Sequence, residues 1–336
     1  MISMKLLVTG GLGFIGSNFI RLMLHEHDDI HILNIDDLRL GSNPENLRDL
    51  DDERRYEFCR GDIADEKLIA GLIKDADAIV NFAAETHVDR SIARPESFLH
   101  SNVQGVFNLL EALRHHNSSA RFVQISTDEV YGDILRGSFT EESTVKPSSP
   151  YSASKAAGDV FVQAYARTYG LIAMVTRCTN NYGPYQFPEK LIPKTILRAK
   201  NGLRIPIYGT GENVRDWIYV IDHCRAVEAV LLRGGKGQIY NISAAEEKSN
   251  LDVVKIILQS LGKSEDLIDF VDDRPGHDAR YSLDSSKIRS ELHWHPQENF
   301  AEGIRETVAW YLENEPWWQP LMDERVLHPA PWTLNW

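Results

Sequence analysis

Tyr151 and Lys155 form a Tyr-x-x-x-Lys pair. On a helix that spacing puts both side chains on one face. An ammonium beside a phenol stabilises the phenolate and lowers the tyrosine pKa from its ordinary value of about 10. The expected result is a base usable near neutral pH. The pair follows Thr127, which ends a strand-like run at 121–127. A second feature lies near the start of the chain, where Gly10, Gly13 and Gly16 form Gly-x-x-Gly-x-x-Gly. Such a turn between strand and helix offers backbone N–H groups and a positive dipole end to a pyrophosphate. Asp36 ends the next strand, where a carboxylate binds adenosine ribose hydroxyls and repels a 2′-phosphate. NAD is therefore expected over NADP, with Arg39 the one residue that speaks for the phosphorylated form. Asp62, after a third strand, has two readings, an adenine contact or a helix cap.

These residues need a scaffold that aims strand ends at one crevice. Strand-like runs fall at 5–9, 30–35, 56–60, 78–83, 121–127 and 171–177, and helical patterns at 14–24, 66–75, 98–116 and 151–168. That alternation predicts βαβ units and an α/β Rossmann fold with a doubly wound parallel sheet. Residues 1–183 are expected to be the NAD-binding domain. Beyond them Pro184, Pro188, Pro193 and Pro206 loosen the pattern, with strand-like pieces at 204–208 and 238–242. Residues 184–336 are expected to form mainly a smaller mixed α/β substrate-binding lobe, with crossings back to the sheet allowed. The tail holding Trp317, Trp318, Trp332 and Trp336 reads as packed on the surface or on a partner subunit.

At about 150 residues per domain, a chain of 336 residues fits two domains or one large domain with an appendage. The net charge of −13 argues against nucleic acid and anionic membrane as partners, leaving room only for a local basic pocket. Cys59, Cys178 and Cys224 are scattered and odd in number, so a disulfide framework is not expected and a reducing cytoplasm fits. Cys178 reads as a buried structural thiol, and His115 and His116 as solvated. No spacing suggests a metal site. No apolar run approaches the roughly 20 residues of a membrane span, and the one at Leu6–Val8 is too short for a signal peptide.

With Tyr151 and Lys155 behind a glycine-rich turn, the chain resembles the extended short-chain dehydrogenase/reductases that act on nucleotide sugars. Thr127-Asp128-Glu129-Val130-Tyr131-Gly132 is similar to the signature of the dTDP-glucose 4,6-dehydratases. Epimerases of the superfamily usually lack the adjacent acidic pair. The chemistry gives a reason: a dehydratase must remove the C5 proton and expel the C6 hydroxyl, and two carboxyls in unlike environments can divide those roles. The segments 83–91, 180–193, 215–220 and 273–281 also resemble family blocks, and the likeness spans roughly residues 4–321. After Asp36, however, the family usually has a lysine and then a Thr-Tyr pair. Here stand Asp37, Arg39 and Leu40. The family's Asn-Glu-x-x-Asn motif lacks its first asparagine at Glu246, and residues 322–336 have no family counterpart.

The resemblance implies an NAD-dependent hydro-lyase that converts dTDP-glucose to its 4-keto-6-deoxy derivative for deoxysugar biosynthesis. It implies catalysis by Thr127, Asp128, Glu129, Tyr151 and Lys155. NAD contacts are implied at Gly10, Gly13, Phe14, Ile15, Gly16, Asp36, Asp37, Leu38, Asp62, Ile63, Phe82, Ala83, Ala84, Ser101, Tyr151, Lys155 and Asn181. Substrate contacts are implied at Thr86, His87, Thr127, Asn180, Glu189, Lys190, Leu191, Pro206, Tyr208, Arg215, Asn250, Arg274, His277 and Tyr281, the arginines binding the diphosphate. A homodimer through the helices near 98–116 and 151–168 is implied as well. The alternatives are a 4-epimerase, a dehydratase of UDP- or CDP-sugars, and a non-catalytic NAD-binding regulator.

Overall fold

Runs of aliphatic and β-branched residues supply the strands. In the computed structural model, which describes residues 4–334, twelve of them form. They are β1 (Met4–Thr9), β2 (Ile30–Asp36), β3 (Tyr56–Arg60), β4 (Ala78–Asn81), β5 (Arg121–Thr127), β6 (Ile172–Cys178), β7 (Asn180–Tyr182), β8 (Ile205–Tyr208), β9 (Val214–Tyr219), β10 (Ile239–Ile242), β11 (Glu247–Ser249) and β12 (Ile268–Val271). Seven make one sheet in the order β10-β6-β5-β4-β1-β2-β3. Every pairing in it is parallel. β4 is buried throughout and β5 beyond its first residue, as a strand covered by helices on both faces must be.

The helices are α1 (Phe14–Glu26), α2 (Glu66–Leu72), α3 (Val88–Ala93), α4 (Glu96–Leu99), α5 (Val106–His116), α6 (Pro150–Thr168), α7 (Leu191–Lys200), α8 (Val220–Arg233), α9 (Asn250–Ser260), α10 (Ser286–Leu292), α11 (Phe300–Glu313) and α12 (Glu315–Trp318). α1, α8 and α10 share a core with one sheet face, and α2, α5 and α6 share a core with the other. This is the doubly wound Rossmann arrangement expected from the alternation. The strand order reverses between β1 and β4, and the crevice beyond the carboxyl ends at such a point is where ligands bind. Two short sheets, β11-β9-β7 and β12-β8, lie outside the large one, and all their strands but β7 come from beyond residue 183, while β10 returns from that half of the chain to the edge of the large sheet and α8 and α10 return to its face.

Two expectations change. The single helix over 98–116 is instead α4, a π-helical segment His100–Gly105 and α5. In that widened segment the Asn102 amide exchanges hydrogen bonds with the Glu85 backbone, at 2.9 Å from Glu85 N–H and 3.0 Å to its carbonyl, while Ser101 faces the crevice. The tryptophan tail is not merely surface packing. Trp317 and Trp318 are buried in the second lobe's core with Tyr182, Phe300 and Tyr311. The Trp317 indole N–H reaches Asn46 of the first lobe at 2.8 Å. Trp332 sits against Tyr208, and Trp336 lies outside the described residues.

α6, which carries Tyr151 and Lys155, begins with a capping box in which Ser149 and Ser152 satisfy each other's backbone N–H groups. Pro150 at its first position is pre-shaped for the helix. Beneath its middle, Asp159 meets Arg177 of β6 at 2.9 Å, both almost wholly buried. The guanidinium also lies over the Tyr131 ring at 4.6 Å. Burial outweighs the guanidinium's attraction and holds the Asp159 carboxyl above the usual range. Removing one partner strands the other in an apolar setting. Arg177→Met should cost about 3–5 kcal/mol in urea denaturation, and adding Asp159→Asn should cost much less than a second such loss. A loss under about 1 kcal/mol for Arg177→Met would show that the pair does not hold α6 to the sheet.

Candidate active site

A cleft opens where the strand order reverses. Its floor is the glycine turn between β1 and α1. Gly10 has φ +69, and a Cβ there would fall 2.5 Å from the Ala83 nitrogen. A Cβ at Gly16 would strike the Gly10 carbonyl. No side chain caps the N-terminus of α1, so its first N–H groups face the cleft free to meet an anion. This cradle suits a dinucleotide pyrophosphate, and a side chain would fill it.

The adenosine end is built around Asp36. Its oxygens accept the N–H groups of Leu12 at 3.1 Å and Leu38 at 2.9 Å, which fixes the carboxylate at the cleft wall. Burial, the largest influence, raises its pKa against those hydrogen bonds. Leu38 itself does not line the cleft: at φ 59 its backbone serves to hold Asp36. Arg39 is held by Asp37 at 2.8 Å, by Asp62 at 2.6 Å and by the Ser101 hydroxyl at 2.9 Å. A guanidinium so engaged is a poor partner for a 2′-phosphate. Asp62 is no helix cap: Asp65 caps α2, and Asp62 instead lines the cleft, paired with Arg39 and with His100 at 2.7 Å. The other expected dinucleotide contacts line the cleft, with Asn181 oriented by a 2.8 Å hydrogen bond to His223.

The catalytic candidates gather at the carboxyl end of β5. Thr127 caps the 3-10 turn Asp128–Tyr131, its hydroxyl accepting the Glu129 N–H at 3.3 Å and donating to Asp128 at 3.1 Å. The other Asp128 oxygen is buried and has no partner. Burial, then the neighbouring Glu129 charge, pushes the Asp128 carboxyl well above the carboxylate range. Burial also raises Glu129, but Arg274, Arg215 and Lys190 pull it back toward its ionised form. Both carboxyls are held above the usual range, Asp128 the more strongly, and they stand in unlike surroundings because three cations act on Glu129.

Tyr151 and Lys155 both reach the cleft from α6. The expected lowering of the phenol does not appear. Burial, then Glu129, holds Tyr151 well above its ordinary pKa, and the Thr127 hydroxyl offsets only part of that. The Lys155 ammonium donates to the Ile125 carbonyl at 2.6 Å and is itself depressed by burial. It is spent on the strand and not on the phenol. Cys178 lines the same wall, its thiol pushed up to about 12 by burial, which makes it inert as expected. His115 and His116 are exposed.

The substrate candidates separate into two groups. Thr86, Asn180, Glu189 and Lys190 line the cleft near Thr127, and Lys190 is tethered to the Thr86 carbonyl at 3.1 Å. His87 does not line it: the ring caps α3, and burial among cations keeps it neutral. Leu191, Pro206, Tyr208, Arg215, Asn250, Arg274, His277 and Tyr281 also lie off the cleft wall. Arg215 donates to the carbonyls of Val214 at 2.7 Å and Asp278 at 2.9 Å, lying over the Tyr281 ring at 4.3 Å. Arg274 pairs with Asp89 at 2.7 Å and leaves its buried Nε without a partner. The charges of both arginines still act on Glu129. Sequence reasoning missed the buried Arg90, which bridges Glu85 at 3.2 Å and Glu189 at 3.3 Å and ties the β4 loop to the second lobe. It also missed Asp89, Gln186 and Phe187 as site residues. The only signal for them was their place inside the quoted segments.

The comparisons agree with this geometry. Residues 7–307 match a family model described as GDP-mannose 4,6 dehydratase. A dTDP-glucose 4,6-dehydratase from Streptomyces niveus is 50% identical over 322 residues, which is 95% of this chain and 96% of that one. The solved dTDP-glucose 4,6-dehydratase of Bacillus anthracis, in complex with NAD, is 46% identical with a TM-score of 0.90 and covers 95% of this chain and 100% of its own. That of Streptomyces venezuelae, also solved with NAD bound, is 48% identical with a TM-score of 0.93 over the same shares. With its sheet order, its glycine cradle and its Thr-Asp-Glu turn all in place, the chain belongs to the 4,6-dehydratase family that this model describes, within the extended short-chain dehydrogenase/reductases.

Proposed function

We propose that the chain is an NAD-dependent dTDP-glucose 4,6-dehydratase, a hydro-lyase that forms dTDP-4-keto-6-deoxy-glucose and water. The observation that carries this reading is the pair of adjacent carboxyls at the end of β5. Asp128 is strongly biased toward its protonated form, and Glu129, also raised by burial, is drawn back toward its ionised form by the charges of Arg274, Arg215 and Lys190. Residues 1–183 are read as the cofactor domain and 184–336 mainly as the nucleotide-sugar lobe, with β10 returning to the sheet. No helix among the described residues is long and apolar enough to cross a membrane. A cytoplasmic homodimer joined through the helices near 98–116 and 151–168 is part of the same proposal.

NAD, when bound, would supply the hydride acceptor for C4, the hydride donor for C6 and a positive charge that lowers the raised Tyr151 pKa. The Gly10–Gly16 turn would hold its pyrophosphate and Asp36 its ribose. The Thr127 hydroxyl orients the sugar O4, and Tyr151, once ionised to the phenolate, takes the O4 proton. Lys155 keeps the tyrosine side of the site positive. Once C4 is a ketone, the C5 proton is acidic and the Glu129 carboxylate removes it. The Asp128 carboxylic acid gives its proton to the C6 hydroxyl, which leaves as water. Glu129 then returns a proton to C5, and exchange with solvent takes the proton from Tyr151 and restores one to Asp128 before the next turnover. Arg215 and Arg274 hold the diphosphate, and Pro206 and Tyr208 face the base. The 4-epimerase reading needs no such acid–base pair, so Asp128 and Glu129 argue against it.

Cofactor content, two variants and the nucleotide preference test the proposal. Denatured protein should release NAD(H) rather than NADP(H), as read by mass spectrometry. Asp36→Ala should weaken NAD binding by about ten- to a hundredfold. Glu129→Gln should lower turnover of dTDP-glucose by about 10²–10⁴-fold while leaving C4 oxidation intact. Rapid-quench mass spectrometry should then find the 4-keto-glucose intermediate, with absorbance in the reduced nicotinamide band. Faster turnover of UDP- or CDP-glucose than of dTDP-glucose would reassign the nucleotide.

A further inference from the structure

The segment after Met322 has no counterpart in the family pattern, yet it is fixed to the site. Val326 and Leu327 are buried against Phe187, which lines the cleft. Two cations of α7 hold the strap by its backbone. Arg198 donates to the Leu327 carbonyl at 2.7 Å, and the buried Lys194 donates to the His328 carbonyl at 3.3 Å. The chain then crosses to a 3-10 turn, Pro331–Thr333, packed on α3. There the Trp332 indole meets the Tyr208 ring edge to face, with centroids 4.8 Å apart and planes at 85°. The Tyr208 hydroxyl donates to Asp89 at 3.2 Å, and Arg274 grips the other oxygen of the same carboxylate at 2.7 Å. One end of the Tyr208 ring is therefore tied by Asp89, and its flank is closed by Trp332.

We propose that Trp332 is a positioning residue for nucleotide recognition: the strap 323–334 holds its indole against Tyr208, and so sets that ring as the wall on which a pyrimidine base stacks. This rests on the dehydratase reading, which brings the nucleotide to Tyr208 and Arg274. Among the described residues no hydrogen bond, ion pair or ring contact joins the strap to Asp128, Glu129 or Tyr151, so its effect belongs to binding and not to the chemical step. An edge-to-face aromatic pair is a modest interaction. Its loss should raise a dissociation constant by about three- to tenfold.

Calorimetric titration with dTDP and steady-state kinetics with dTDP-glucose test it on the full-length protein. Trp332→Ala should raise the dTDP dissociation constant and the KM by about three- to tenfold with kcat unchanged, and Trp332→Phe should restore most of the loss. Unaltered dTDP binding in Trp332→Ala, or a fall in kcat at constant KM, would overturn the role of Trp332 while leaving the dehydratase reading intact. Wild-type protein that neither binds dTDP nor turns over dTDP-glucose would overturn the functional reading and this inference with it.

Discussion

The cost of burying two adjacent carboxyls is the constraint on which the site depends. Asp128 and Glu129 follow one another at the end of a buried strand, where low dielectric disfavours charge on both. A fold that let both ionise unaided would be unstable there, and one that neutralised both would have no base. The conflict is resolved by asymmetry. Asp128 keeps one oxygen on the Thr127 hydroxyl and the other without a partner, while the charges of Arg274, Arg215 and Lys190 act on Glu129. Those cations all lie beyond residue 183, so the asymmetry depends on both halves of the chain folding together.

The cofactor half and the nucleotide half are built differently. The cofactor cradle is backbone geometry fixed by the sheet, with close approaches that only glycine allows. The proposed nucleotide half rests on long side chains from a strand and a loop, each already engaged within the protein. Arg274 sits on Asp89, and Arg215 of β9 on backbone carbonyls. On the proposed reading a diphosphate would exchange those contacts for its own, so binding there would involve rearrangement where the cradle needs none.

Much of this was legible because it is local. The strand Arg121–Thr127 ends where its apolar pattern ends, and Tyr-x-x-x-Lys on one helix face follows from helical periodicity alone. The glycine spacing likewise reports a turn that β1 and α1 make by themselves. What escaped depends on distant partners. The direction of the Tyr151 shift depends on burial and on where the Lys155 ammonium points, and Ile125 of a neighbouring strand decides that. Asp62 reads equally as an adenine contact or a cap, and only the start of α2 gives the cap to Asp65. The Glu85–Arg90–Glu189 bridge joins segments far apart in sequence, and the strap's hold on α7 does the same.

The central claim is that oxidation at C4, elimination across C5 and C6, and reduction at C6 occur on one sugar in one closed site. Following a label through a single turnover tests it most directly. dTDP-glucose deuterated at C4 should give 4-keto-6-deoxy product carrying that deuterium at C6 of the same molecule, with C5 acquiring solvent deuterium when the reaction runs in heavy water. Deuterium lost from C4 to solvent, or a product inverted at C4 with its C6 hydroxyl retained, would contradict the account.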